Sequence, residues 1–146
     1  MVTSSGSAVR LVLVSAGVLI DDGGRVLLAQ RPPGKNLEGK WEFPGGKLEP
    51  GEGPEDALVR ELWEELGIVV APDTLEPLTF ASHRYDRFHL LMPVFLCRHW
   101  QGEIVAKEHT ALVWVLVQDM LNYPLAPADI PLVPVLRDRV QTSQHQ

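Results

Sequence analysis

From residue 9 to 20 the chain is apolar at nearly every position ("LVLVSAGVLI" over 11–20). That pattern predicts a strand covered on both faces. "DDGG" (21–24) is a turn signal. "RVLLAQR" (25–31) predicts a second strand, so 9–31 reads as a hairpin. Residues 32–40 carry Pro and Gly at loop density, and "WEFPGGKLEPGEGP" (41–54) reads as short extended pieces joined by glycine turns. Pro54 suits a first helical turn, where its missing N–H costs nothing. Glu55 and Asp56 follow where the helix dipole favours negative charge. The helix is expected to run to Leu66, with Gly67 as a left-handed stop. Residues 75–85 and 87–100 predict two long strands, with Pro93 placing the second at an edge or a bulge. After a loop over 101–110, "ALVWVLV" (111–117) predicts a buried strand and 118–123 a short helix. A Pro-rich loop then leads into a last helix ending near residue 141, its start blurred by Pro131 and Pro134. The sum is a mixed sheet with helices packed on it, an α+β arrangement.

Composition narrows the class. The 146 residues fit one domain over 1–146, and 45% hydrophobic with 22% charged residues is ordinary for a globular protein. No apolar run nears the roughly 20 residues that span a bilayer, so no membrane partner is expected. The start lacks a small-residue cleavage site after its apolar run, so residues 1–7 read as a loose tail rather than a signal peptide. Cys97 is the single cysteine, which excludes a disulfide framework and a thiolate metal site and fits a reducing cytoplasm.

Charge placement changes the picture. The net charge is −6, and residues 42–65 hold eight acids against two bases, Lys47 and Arg60. The remainder is formally neutral, with no basic stripe to grip a nucleic-acid backbone. At 100° per residue, Glu61, Glu64 and Glu65 share an arc of about 100° beside a stripe of Leu58, Val59, Leu62 and Leu66. Like charges at i,i+3 and i,i+4 repel. The arrangement makes sense around a hard cation with oxygen ligands, Mg²⁺ or Mn²⁺. A plain solvated charged face is the competing reading.

Upstream context bears on that choice. The pattern G-x5-E-x7-R-E-L-x-E-E-x-G-I is present in full, from Gly46 through Glu52, Arg60, Glu61, Leu62, Glu64, Glu65 and Gly67 to Ile68. It resembles the Nudix box of the MutT/Nudix hydrolases, here spanning 46–68. "WEFPGGKLEPGE" and the order of elements extend the likeness over almost the whole domain. The resemblance implies a Nudix fold, a mixed β-sheet sandwiched between helices (α/β/α). It implies that Glu61, Glu64 and Glu65 ligate Mg²⁺ or Mn²⁺ with the Gly46 carbonyl, and that Glu52 lies near the metal. Arg60 would pair with an acid of the box and fix the loop–helix geometry. Glu61 or Glu64 would act as general base, and Glu108, in the loop before strand 111–117, is a candidate further carboxylate. Its other reading is an exposed loop acid.

The implied activity is Mg²⁺-dependent hydrolysis of a nucleoside triphosphate, such as 8-oxo-dGTP, to the monophosphate and pyrophosphate, in nucleotide-pool sanitation. Arg31 resembles the arginine that holds substrate phosphate in MutT-type enzymes. Phe43 is placed to stack on a base or to fill the core. Asp129 stands where MutT-type enzymes put a base-reading Asn, and it is read either as an acceptor for a base edge or as a helix N-cap. "EHTALVW" and "YPLAPADIPL" also resemble the CTP or modified-cytidine pyrophosphohydrolases. If Asp129 is only a cap, base choice falls to Phe43 and the 83–89 loop. A non-catalytic nucleotide-binding module is the alternative class, and the full set of box carboxylates argues against it. An RNA 5′-end hydrolase would need a basic track, and an ADP-ribose hydrolase extra N-terminal strands. No stable nucleic-acid partner is expected, and the chain is expected as a monomer or a small homo-oligomer.

Overall fold

The computed structural model describes residues 9–144, with side chains through residue 140. The tail expected over 1–7 lies outside the described residues. The elements run β1 (Arg10–Leu19), β2 (Arg25–Gln30), β3 (Trp41–Glu42), β4 (Gly45–Lys47), α1 (Pro54–Leu66), β5 (Glu76–Arg84), β6 (Phe88–Cys97), β7 (Ala111–Leu116) and α2 (Leu132–Gln144). The strands form a four-stranded sheet, β4-β1-β6-β5, and a three-stranded sheet, β3-β2-β7. Only β1 and β6 pair in parallel, so the first sheet is mixed. The second is antiparallel.

Four expectations need correction. The hairpin over 9–31 exists only at its turn: Asp21 N–H donates to the Arg25 carbonyl at 3.0 Å, and Ile20 bridges Val26. Beyond that point β1 and β2 enter different sheets, because both edges of each are already taken by other strands. Pro93 lies on β6, an interior strand rather than an edge. The ladder to β1 lapses between Leu13–Leu91 and Ala16–Val94, where the proline has no N–H to give, while Phe80–Pro93 pairing to β5 continues. The bulge falls instead in β5, between Pro77 and Thr79. The short helix expected at 118–123 is a 3₁₀ segment, Val117–Asn122. The strand expected as buried, β7, is mostly half-buried at the edge of its sheet.

The unbroken apolar runs have a physical reason. Successive residues of one strand feed opposite cores. Val18, Val26, Leu28, Val94 and Leu96 join Leu132, Leu136 and Val140 of α2 in one cluster. Leu19, Leu27, Phe95 and Cys97 join Leu58, Leu62 and Leu66 of α1 in the other. Each fully buried leucine contributes about 1.5–3 kcal/mol. Helix α1 has the predicted bounds, with Gly67 left-handed at φ 75° and its N–H on the Trp63 carbonyl. Its first turn is tied to β1 by buried Ser15, whose Oγ donates to the Pro54 carbonyl at 2.8 Å. No helix among the described residues is long and apolar enough to cross a membrane.

Candidate active site

Arg60 organises the acidic helix. Its guanidinium grips Glu52 with two bonds, Nε to Oε2 at 2.8 Å and Nη2 to Oε1 at 2.9 Å. Nη1 donates to Glu61 Oε2 and Glu64 Oε1, each at 3.1 Å, and Nη2 also reaches the Lys47 carbonyl at 2.9 Å. Four points of the loop and helix therefore converge on one rigid fork. The guanidinium, with the Glu49 N–H, holds the Glu52 carboxyl down at about 2. Glu52 first, then Glu61 and Glu49, push the Arg60 pKa further up.

The three box glutamates are graded in depth. Glu64 is exposed, Glu61 half-buried and Glu65 buried. Burial, then the adjoining Glu61 carboxyl, pushes Glu65 far above the usual carboxylate range, against a 3.3 Å bond from the Gly45 N–H. Gly46 lies flat against Glu61: a Cβ there would run into the Glu61 carboxylate. At Gly45, with φ 153°, a Cβ would strike the backbone of Ser15 and Ala16. Glycine is thus required where β4 slides between β1 and the helix.

The donor set fits a hard divalent cation. It is oxygen-only, and the buried Glu65 carboxyl lies crowded against that of Glu61, which works against its ionisation. It is not a closed cage. Among the described residues no three Asp, Glu, His or Cys side chains converge tightly enough to hold a metal unaided. Glu61 and Glu65 abut, while Glu52 and Glu64 are turned onto Arg60. Mg²⁺ commonly takes one or two carboxylates and completes its shell with water and phosphate.

Gly45 and Gly46 also form one wall of a cavity of about 360 Å³. Its sides are largely apolar, with Tyr85 stacked on Phe88 at 5.0 Å. Phe43 lines it while belonging to the core. Arg31 reaches it from the end of β2 but is not free: Nη1 pairs with Glu42 at 3.2 Å and Nε donates to the Asn36 carbonyl at 2.6 Å.

Asp129 closes the far side. The chain at 124–126 runs beside β3, with Trp41 N–H on the Pro124 carbonyl and Ala126 N–H on the Trp41 carbonyl, and this delivers Asp129 to Phe43. Asp129 is 4% exposed, and its carboxyl accepts the Phe43 N–H at 3.4 Å. It does not cap α2, which starts at Leu132; it sits in a 3₁₀ turn, Pro127–Asp129. Burial, then the Glu42 charge, raises its pKa to about 8, so at neutral pH it is mainly the acid. The acceptor-only chemistry expected from the sequence belongs to the ionised form; a neutral carboxyl donates as well as accepts.

Glu108 is exposed in the loop before β7. Its neighbour His109 turns inward, with Nε2 3.0 Å from Glu42 Oε2. Sequence reasoning gave neither His109 nor Glu42 a role. The available signal was a histidine beside a candidate acid in a short loop, which is weak on its own.

The chain belongs to the NUDIX family, whose domain model matches residues 11–136. Fold and site place it among the hydrolases of phosphorus anhydrides. It is 42% identical over 126 residues to a CTP pyrophosphohydrolase of Escherichia coli, covering 85% of this chain and 90% of that one. It is 43% identical over 100 residues to an 8-oxo-dGTP diphosphatase of Proteus vulgaris, covering 68% and 88%. Among solved structures, the E. coli ORF135 protein superposes with a TM-score of 0.78 at 39% identity, over 89% of this chain and 91% of that one. A MutT NUDIX hydrolase from Burkholderia pseudomallei gives 0.77 at 29%, over 86% and 97%.

Proposed function

We propose that this chain is a Mg²⁺-dependent (or Mn²⁺-dependent) nucleoside triphosphate pyrophosphohydrolase of the MutT type. It releases a nucleoside monophosphate and pyrophosphate and removes damaged or modified nucleotides from the pool. One observation carries the reading: the acidic helix and the aromatic-walled cavity share a wall at Gly45–Gly46. A phosphate chain at the helix end and a nucleoside at the Asp129 end would then lie along one path.

Glu61, Glu64 and Glu65, with Glu52 and the Gly46 carbonyl near them, would hold the cation. When bound, it neutralises phosphate oxygens and lowers the pKa of a bound water. Glu61 or Glu64 takes the water's proton. Arg60 keeps Glu52, Glu61 and Glu64 in mutual register, and Arg31 faces the nucleotide from the cavity rim. Tyr85, Phe88 and Phe43 exclude water from the base. The buried thiol of Cys97, raised to about 11 by burial, takes no part.

Two substrate classes suit a neutral Asp129. Its O–H could donate to the 6-carbonyl of 8-oxo-guanine while its carbonyl accepts from N1–H. It could equally donate to cytosine N3 and accept from the 4-amino group, and the E. coli CTP pyrophosphohydrolase relative favours this second reading, CTP or 5-methyl-dCTP. The test is pyrophosphate release from 8-oxo-dGTP, CTP, 5-methyl-dCTP, ADP-ribose and triphosphorylated RNA at equal concentrations with Mg²⁺. Release from the first three alone supports the reading. Binding without release from any would make the chain a nucleotide-binding module instead.

A further inference from the structure

The His109 ring is almost enclosed, with 7% of its side chain exposed, and it lies between two carboxylates from different elements. On one side Nε2 is 3.0 Å from Glu42 Oε2. A carboxylate oxygen accepts, so this contact is a hydrogen bond in the tautomer with the proton on Nε2. Glu42 is also the partner of Arg31 at the cavity rim and lines the cavity itself. On the other side Nδ1 lies 3.9 Å from Glu65 Oε1, in contact but beyond hydrogen-bond reach. Nδ1 is buried without a hydrogen-bond partner. An orphaned buried ring nitrogen is costly, so its persistence asks for a reason. The backbone reinforces the placement. Lys107 N–H donates to the Glu65 carbonyl at 3.0 Å, and Thr110 N–H donates to the Gln30 carbonyl at 3.0 Å, beside Arg31. The segment that carries the histidine is thus held by two backbone bonds, one to the acidic helix and one to the end of β2 next to Arg31.

We propose that His109 is a positioning residue that holds Glu42 through Nε2 and wedges its ring against Glu65, setting the nucleoside end of the site against the acidic helix. The inference rests on the function proposed above. His109 touches neither phosphate nor base. Through Nε2 it fixes Glu42, and through Glu42 the Arg31 fork; through Nδ1 it sets the face that the Glu65 carboxyl presents to a cation. One rigid ring then keeps the two halves of the cleft at a fixed spacing, which an in-line attack needs because small misplacements are expensive.

The first test uses the wild-type chain and no turnover. Imidazole ¹⁵N resonances are recorded for the free protein, with Mg²⁺ alone, and with CMP or 8-oxo-dGMP in EDTA, with each ligand's binding followed by calorimetry. The expected result is a proton on Nε2, a shift of the His109 Nδ1 resonance with Mg²⁺, and a shift of Nε2 with the monophosphate. Ring nitrogens that stay still while both ligands bind overturn the proposal. The second test splits the two contacts. His109→Gln keeps an N–H within reach of Glu42 and removes the nitrogen facing Glu65. Its Mg²⁺ Kd should rise about tenfold with the monophosphate Kd within about threefold. His109→Asn keeps a polar group near Glu65 and falls short of Glu42, so the pattern should invert. Equal changes in both constants, tracking the fall in Tm, would make His109 a merely structural core residue and overturn the role. A variant that fails to fold leaves the decision to the wild-type resonances. A wild-type chain that binds neither Mg²⁺ nor either monophosphate overturns the proposed function and this role with it. Binding with unresponsive variants overturns the role alone.

Discussion

Arg60 and Glu52 are joined side-on, with both carboxylate oxygens engaged at 2.8 and 2.9 Å. The loop that precedes the acidic helix is therefore anchored to the middle of that helix. Lysine can supply the charge but not the two parallel N–H groups. Arg60→Lys is expected to lower kcat/KM about tenfold or more, since it frees Glu52 and the Lys47 carbonyl together. Steady-state kinetics against the best nucleotide of the panel checks this. Wild-type kcat/KM in Arg60→Lys would show that charge alone suffices.

Hydrolysis is expected to need added Mg²⁺ or Mn²⁺ and to stop in EDTA. Glu61→Gln or Glu64→Gln should each reduce kcat by about a hundredfold, the scale of losing a general base or a ligand. Undiminished turnover in either variant would remove that carboxylate from the mechanism. Turnover in EDTA would remove the metal.

Gly46→Ala offers a sharper probe of the same region. The added methyl meets the Glu61 carboxylate, which must swing away. We expect at least about a tenfold loss of kcat, by displacement of one reacting group, with Tm changed by only a few degrees. An active Gly46→Ala would mean that Glu61 can relocate without consequence.

Asp129 should write a pH signature on stability. Its carboxyl holds its proton up to about 8 when folded, against 3.8 as the ordinary value. Stability from this group is complete below the ordinary value and is lost as pH rises toward 8, by at most about 1.4 kcal/mol per pH unit. Asp129→Asn, which cannot ionise, should lose less stability between pH 5 and 8 than the wild type in metal-free urea melts. Parallel curves for the two proteins would refute the buried acid. Base preference at neutral pH should survive Asp129→Asn, since an amide also donates and accepts. It should flatten about tenfold in Asp129→Ala.

Leu62 is fully buried at the middle of the α1 stripe. Leu62→Ala should cost about 2–5 kcal/mol in a denaturant titration, with m unchanged. A loss under about 1 kcal/mol would mean that the cluster under the helix collapses around the gap.

The helix was readable because its signals are local: Pro54 and Asp56 at the start, leucines at 58, 62 and 66, and Gly67 at the stop. Arg60's part was implied by the family resemblance rather than by spacing. Strand pairing was less legible. Apolar periodicity says which faces are covered, not which edge meets which neighbour, so β1 and β2 read as partners although each had both edges taken. The ionisation state of Asp129 was out of reach for a related reason. Its burial depends on Phe43, 86 positions away in sequence, and on a chain segment laid beside β3. His109 was missed because its partners, Glu42 and Glu65, come from a strand and a helix that no local pattern brings together.

The loop over 101–110 closes the last turn of α1 with its own backbone, Val105 N–H on the Leu66 carbonyl and Lys107 N–H on the Glu65 carbonyl, each at 3.0 Å. Helix ends ordinarily fray, with carbonyls left to water. Here the end of the helix and a loop some forty residues later in the chain must open together or not at all. In deuterated solvent the amides of Val105 and Lys107 would therefore exchange at the same rate as those of the final helical turn, as one cooperative unit. Glu65, the most buried of the three box glutamates, inherits the protection of that unit rather than the looseness of a helix terminus.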